Sequence, residues 1–177
     1  STLRAYGCIR QESDGRYYLG TKLFQWGCSV SASWDITRLA RPYLERLARD
    51  TGSTALLSRV EGSIITVIDQ CVSGAGIRVA SEMGSHVSLY ATSQGKLLLA
   101  SLSDSAVRRL IPEGKLQAFT PHTLTDLPAL LADLERIRTQ GYAIENGEYK
   151  IGLRSVSAPV YSRENYIAYI VSAVGLF

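Results

Sequence analysis

Asp126-Leu127-Pro128, followed by Leu130, Leu131, Leu134 and Ile137 and closed by Gly141, reads as one amphipathic helix, and what comes after it decides the fold. Asp126 is a suitable N-cap, Pro128 fits the first turn, the apolar residues recur at steps of three and four, and Gly141 is a natural stop. Behind it come strand-like runs at 142–145, 153–161 and 166–174, the last two joined by the turn Ser162-Arg163-Glu164-Asn165. No helix separates these strands, so they cannot be stacked as β-α-β units. They predict a largely antiparallel sheet with helices packed on it, an α+β architecture.

The same alternation appears upstream. Residues 54–59 pair plausibly with 63–72 across Val60-Glu61-Gly62, and Ile64-Ile65-Thr66-Val67-Ile68 is dense in β-branched side chains. Ser73-Gly74-Ala75-Gly76 turns the chain into a further strand at 77–80, which brings the sheet to about six strands. Leu97, Leu98, Leu99 and Ala100 mark a helix over 92–102 buried on most sides, and Ser103 caps a short helix ending at Leu110 and Ile111. Nearer the start, Ser33 is read as the cap of a helix with one apolar face, made of Ile36, Leu39, Ala40, Tyr43, Leu44, Leu47 and Ala48. Gly52 ends it, and Pro42 is tolerated as a first-turn residue or a kink. Leu23, Phe24, Trp26, Gly27 and Val30 suit a short connecting helix. Residues 7–11 and 16–19 flank Asp14-Gly15 as a hairpin. A lone hairpin does not stand by itself, so the chain is expected to begin inside a domain, with residues 1–4 as the tail of a helix.

Composition narrows the function classes. The chain has 177 residues, 46% hydrophobic and 20% charged, which suits a globular domain of ordinary size and excludes intrinsic disorder. Lys+Arg 19 against Asp+Glu 16 leaves +3, too little for a chain devoted to gripping phosphate backbones or anionic membranes. Cys8, Cys28 and Cys71 share no Cys-x-x-Cys spacing, and His86 and His122 lie far apart, so neither a disulfide framework nor a metal site is expected. No leader or membrane-spanning stretch is visible, the run 167–174 being a buried strand, and a reducing cytoplasm is the expected compartment.

Most chemistry-bearing motifs fail on inspection. Gln94-Gly95-Lys96 lacks the phosphate-loop frame, because Tyr90 and Leu97 occupy the positions that need Gly and Ser or Thr. Gly74-x-Gly76 lacks a third glycine and precedes a strand. Ser85-His86 has no positioned acid, so no catalytic triad and no catalytic residue is assigned. Glu145 and Glu148 read as two exposed loop carboxylates rather than an acid–base pair. Ala91-Thr92-Ser93-Gln94-Gly95 is more informative: a helix entry whose free N–H groups can hold a carboxylate or a phosphate. The plainer reading is that Thr92 or Ser93 simply caps the helix. Ser155, Ser157 and Ser172, interleaved with apolar residues, either satisfy local backbone or line a pocket.

The segment from Met83-Gly84-Ser85-His86 through Ala91-Thr92-Ser93-Gln94-Gly95-Lys96-Leu97-Leu98-Leu99-Ala100 resembles the signature of the isocitrate-lyase-regulator (IclR) family of bacterial transcription regulators. So do Gly141-Tyr142-Ala143-Ile144-Glu145 and Gly152-Leu153-Arg154-Ser155-Val156-Ser157-Ala158-Pro159-Val160-Tyr161, while Tyr17-Tyr18-Leu19-Gly20 resembles the end of that family's winged helix. The resemblance implies a remnant wing hairpin of a winged helix-turn-helix domain at 1–20, a linker helix at 21–33, and an effector domain of GAF-like or profilin-like fold at 34–177. It implies homodimers or homotetramers, an organic-acid effector, no cofactor, and operator DNA contacted through an N-terminal domain preceding residue 1. Transferred position by position, the effector site comprises the Ser93 and Gln94 amides, Glu145, Ser155 and Ser172, with Val79, Val87 and Leu153 as apolar lining. Val174 replaces a second serine found in some relatives, and Gln94 is bulkier than the usual residue. Both departures argue against a very small keto acid and for a more apolar carboxylate. A small-molecule-transforming enzyme on the same pocket and a plain oligomerisation module are the competing readings.

Overall fold

The computed structural model describes residues 2–32, 35–72, 87–112 and 114–176. These fall into two compact units, 1–39 and 40–177.

The first unit holds α1 (Thr2–Ala5), β1 (Ile9–Gln11), β2 (Tyr17–Leu19) and α2 (Thr21–Ala32). The expected hairpin is present, with Ile9 opposite Leu19 and Gln11 opposite Tyr17. Gly15 takes φ +82 in the turn, where Asp14 Oδ1 accepts from Arg16 N–H. Gly20 is required for a different reason: a Cβ there would lie 2.0 Å from Gly7 O. Residues 21–32 form the helix expected there, and Phe24 and Trp26 stay exposed on it. The Ser33 cap lies outside the described residues.

Helix α3 (Asp35–Thr51) runs through the division between the units. Its apolar stripe is narrower than the sequence suggests. Leu44 and Ala48 are buried, but Leu39 and Tyr43 are 62% and 76% exposed. At 100° per residue they sit about 120° and 80° from the centre of the stripe that Leu44 and Ala48 share with Ala40 and Leu47. Arg41 Nη1 reaches Asp69 Oδ1 (2.9 Å) and Gln70 O (3.2 Å) and so fastens α3 to the next element but one.

That element is β4 (Ile64–Cys71), at one edge of a five-stranded sheet. The other strands are β3 (Thr54–Glu61), β5 (Ala143–Asn146), β6 (Leu153–Tyr161) and β7 (Ile167–Leu176). The order is β4-β3-β7-β6-β5 and every pairing is antiparallel, as the run of consecutive strands requires. The sixth expected strand, 77–80, lies outside the described residues.

Among the described residues three further helices belong to this unit: α4 (Ser93–Ala100), α5 (Asp104–Leu110) and α6 (Leu127–Gln140). Their caps are the anticipated ones. Ser103 accepts from Ala106 N–H, Asp126 from Ala129 N–H, and Gly141 closes α6 at φ +80. Leu97, Leu98 and Leu99 of α4 join Leu130, Leu134 and Ile137 of α6, Val107 of α5, and Ile167 and Ile170 of β7 in one core. Each such side chain contributes about 1.5–3 kcal/mol on burial. It covers the sheet face to which Ile170 and, two residues on, Ser172 belong. No described helix is long and apolar enough to cross a membrane.

Candidate functional site

Helix α4 packs on the sheet, and at its first residue the contact is polar. Thr92, not Ser93, is the cap: its Oγ1 accepts from Gly95 N–H at 3.1 Å and donates to Ser88 O at 2.6 Å. Ser93 is thereby freed to turn inward. Gly95 permits the approach, since a Cβ there would stand 2.2 Å from Ser88 O and 2.4 Å from Leu89 Cα. The amides of Ser93 and Gln94 find no acceptor among the described residues, as the first turn of a helix leaves them.

Beneath Ser93 the strand register sets out two cross-strand polar pairs. Glu145 of β5 faces Ser155 of β6, and Ser157 of β6 faces Ser172 of β7. Ser93 Oγ lies 2.7 Å from Ser155 Oγ and 2.7 Å from Ser157 Oγ, and Ser157 Oγ lies 2.7 Å from Ser172 Oγ. Ser155 Oγ donates to Glu145 Oε2 at 3.2 Å. Glu145 Oε1 accepts from the amides of Glu148 (2.6 Å) and Tyr149 (3.1 Å). Five buried side chains from α4 and three strands thus form one continuous hydrogen-bonded row. Buried polar groups that are paired in this way specify geometry rather than merely tolerate burial.

Of the eight residues the sequence singled out, the structure joins Ser93, Glu145, Ser155 and Ser172 in this row. Gln94 sits beside it, 5% exposed, with Oε1 lacking a hydrogen-bond partner. Val87 and Leu153 are half-buried, and Val79 lies outside the described residues. Ser157, the central member, was not among the eight. Its signal was available in the Ser155-x-Ser157 spacing, which puts both hydroxyls on one face of a strand.

Two readings need correction. Glu145 and Glu148 are not exposed loop carboxylates: Glu145 is a buried strand residue, and Glu148 packs inward against Lys96. Lys96, dismissed with the failed phosphate loop, is 1% exposed and its Nζ bonds Glu148 Oε1 (2.6 Å) and Asp133 Oδ2 (2.9 Å). Asp133 also pairs with exposed Arg136. Burial pushes the Glu148 carboxyl up, only partly offset by Lys96, with Asp133 and Glu145 adding to the rise. Lys96 therefore braces α4 against α6 and against the loop whose amides hold Glu145. Thr120 and Thr123 fix that loop from the other side, donating to Gly147 O and Glu148 O at 2.6 Å each. An open cleft of about 490 Å³ lies beyond it, lined by His122, Leu124, Asp133, Arg136, Asn146 and Glu148 among others. None of the eight predicted residues lines this cleft. Among the described residues no cluster suited to a metal ion occurs, and the three cysteines are unbridged.

Residues 28–176 match the family model for the C-terminal region of the bacterial transcriptional regulator IclR. The chain belongs to the IclR family. This IclR chain is 30% identical over 174 residues to the HTH-type transcriptional repressor AllR of Escherichia coli K12, covering 98% of the chain and 64% of AllR. It spans just under two thirds of the length of the curated IclR relatives it matches. The crystal structure of the Thermotoga maritima IclR is 31% identical and superposes with a TM-score of 0.78, covering 99% of this chain and 71% of that one. An IclR homologue from Microbacterium hydrocarbonoxydans, crystallised with 4-hydroxybenzoate, shares the fold at 21% identity and a TM-score of 0.79, over 99% of this chain and 72% of that one.

Proposed function

We propose that this chain is the small-molecule-sensing part of an IclR-type transcriptional regulator and takes a carboxylate metabolite at the start of α4. The observation that carries the reading is the pair of amides on Ser93 and Gln94, without acceptors among the described residues, at the helix start whose Ser93 side chain belongs to the row that ends at Glu145. Backbone N–H groups at a helix start favour an anion without a cationic side chain. The 4-hydroxybenzoate in the Microbacterium homologue is a carboxylate of the kind proposed.

In this reading residues 1–20 end a winged helix-turn-helix domain of the full-length cytoplasmic protein, 21–33 link it to the sensor, and 34–177 hold the effector. The full-length protein forms homodimers or homotetramers and contacts operator DNA through the winged domain. A ligand that prefers one arrangement of that assembly shifts its population, and operator affinity changes by the same coupling free energy.

The test is thermal shift of the chain, and operator anisotropy of the full-length protein, against acetate, pyruvate, lactate and 4-hydroxybenzoate. Saturable stabilisation of about 2 °C or more without turnover, with a matching change in operator affinity, supports sensing. Turnover of the ligand favours the enzyme reading. A flat response over the whole panel favours an oligomerisation module.

A further inference from the structure

The hydroxyl row has a direction, and the direction restricts what can bind. Glu145 is an acceptor on both oxygens: two amides point at Oε1, and the Ser155 hydroxyl points at Oε2. A serine has one proton to give. Once Ser155 gives its proton to Glu145, the 2.7 Å contact with Ser93 requires Ser93 to donate. Ser93 is then spent, so the 2.7 Å contact with Ser157 requires Ser157 to donate, and Ser172 must in turn donate to Ser157. The opposite order would turn the lone pairs of Ser155 towards the carboxylate at 3.2 Å. All four hydroxyl protons therefore run towards Glu145, and what the row offers a newcomer is lone pairs. Gln94 adds a further acceptor in its buried, unpartnered Oε1. Ser58, whose hydroxyl also lacks a partner, stands opposite Ile170 rather than in this row. Beside the two donor amides of α4, the serine row itself thus offers acceptors.

We infer that the effector is a carboxylate bearing its own O–H or N–H donor, a hydroxy acid or an acid with an amide or amine N–H, rather than a keto acid, because every hydroxyl proton of the Ser172–Ser157–Ser93–Ser155 row is already committed to Glu145. A keto oxygen placed against these groups faces lone pairs. A hydroxyl in the same place satisfies an acceptor that is otherwise buried without a partner. The inference rests on the carboxylate site proposed above.

Isothermal titration with matched pairs tests it: lactate against pyruvate, glycolate against glyoxylate, 4-hydroxybenzoate against benzoate. The expected result is that in any pair that binds, the hydroxy member binds about tenfold or more tightly. Glu145→Gln supplies an amide donor that lets the row reverse, and the preference should fall to about threefold or less. Ser157→Ala serves the same end should Glu145→Gln fail to fold, since it releases the Ser172 proton for an acceptor on the ligand. A keto or unsubstituted member that binds the wild-type chain as well as its hydroxy partner overturns the inference, as does a preference left intact in both variants. Binding of neither member of any pair overturns the carboxylate site itself, and the inference with it.

Discussion

Ser157 of β6 and Ser172 of β7 stand directly opposite one another across the sheet, their hydroxyl oxygens 2.7 Å apart, and Ser157 alone among the strand serines also touches Ser172 and Ser93 at once. A position with two buried hydroxyl partners is costlier to empty than one with a single partner. Ser157→Ala should lower stability by about 1–3 kcal/mol, because it orphans contacts on both sides, while Ser172→Ala, at the end of the row, should cost about 1 kcal/mol. Urea unfolding of the two variants decides it, and equal midpoints would mean that the row is not continuous through Ser157.

Gly95 sets how closely α4 can approach the segment before it. The neighbours of an added Cβ are backbone atoms, Ser88 O at 2.2 Å and Leu89 Cα at 2.4 Å, which cannot rotate away. Gly95→Ala should therefore destabilise by about 3 kcal/mol or more, as severe overpacking does. Thermal unfolding reads this directly. Gly27→Ala, inside α2 where nothing lies within 4 Å, is the contrasting case and should stabilise by up to about 1 kcal/mol.

Lys96 holds two carboxylates from a position almost without solvent. Removing it leaves Asp133 and Glu148 facing one another without their shared cation, so Lys96→Met should cost about 3–5 kcal/mol. Adding Asp133→Asn to Lys96→Met should recover part of that loss. Denaturation of the single and double variants supplies the measurement, and additive losses would show that the three groups do not act together.

The raised Glu148 carboxyl makes a pH prediction whose sign is fixed by linkage. Burial lifts it above the ordinary 4.5, so the folded protein keeps this proton to higher pH than the unfolded chain does. Its contribution favours folding while the group is protonated and is lost as pH rises from about 4.5 through the folded-state value. Glu148→Gln cannot ionise. The stability of the wild type relative to this variant should therefore fall as pH rises from about 4.5, and a flat difference would exclude the effect.

Much of this was legible along the chain. The caps Ser103 and Asp126, the Gly141 stop, the Asp14-Gly15 hairpin and the antiparallel strands after α6 are each dictated by a few neighbouring residues, and all are where the sequence places them. The width of the α3 stripe was not legible, because Leu39 and Tyr43 keep helical spacing whether or not anything covers them. The resemblance selected Ser93, Glu145, Ser155 and Ser172 but not Ser157 or Lys96. The Ser155-x-Ser157 spacing gives the strand face of Ser157 but not its partners, and a lysine after a glycine has no local signature that distinguishes surface from interior.

By itself the sequence determined most of the described helices and strands and that the strands after α6 pair antiparallel, because caps, turns and periodicity act over a few residues. Only the tertiary structure decided that Ser93 would meet Ser155 and Ser157 from more than sixty residues away, and that Lys96 would find Asp133 and Glu148 in the interior. Those contacts depend on cross-strand register and on how closely Gly95 lets α4 settle on the sheet. Register and close approach are properties of the packed whole, and no short stretch of chain encodes them.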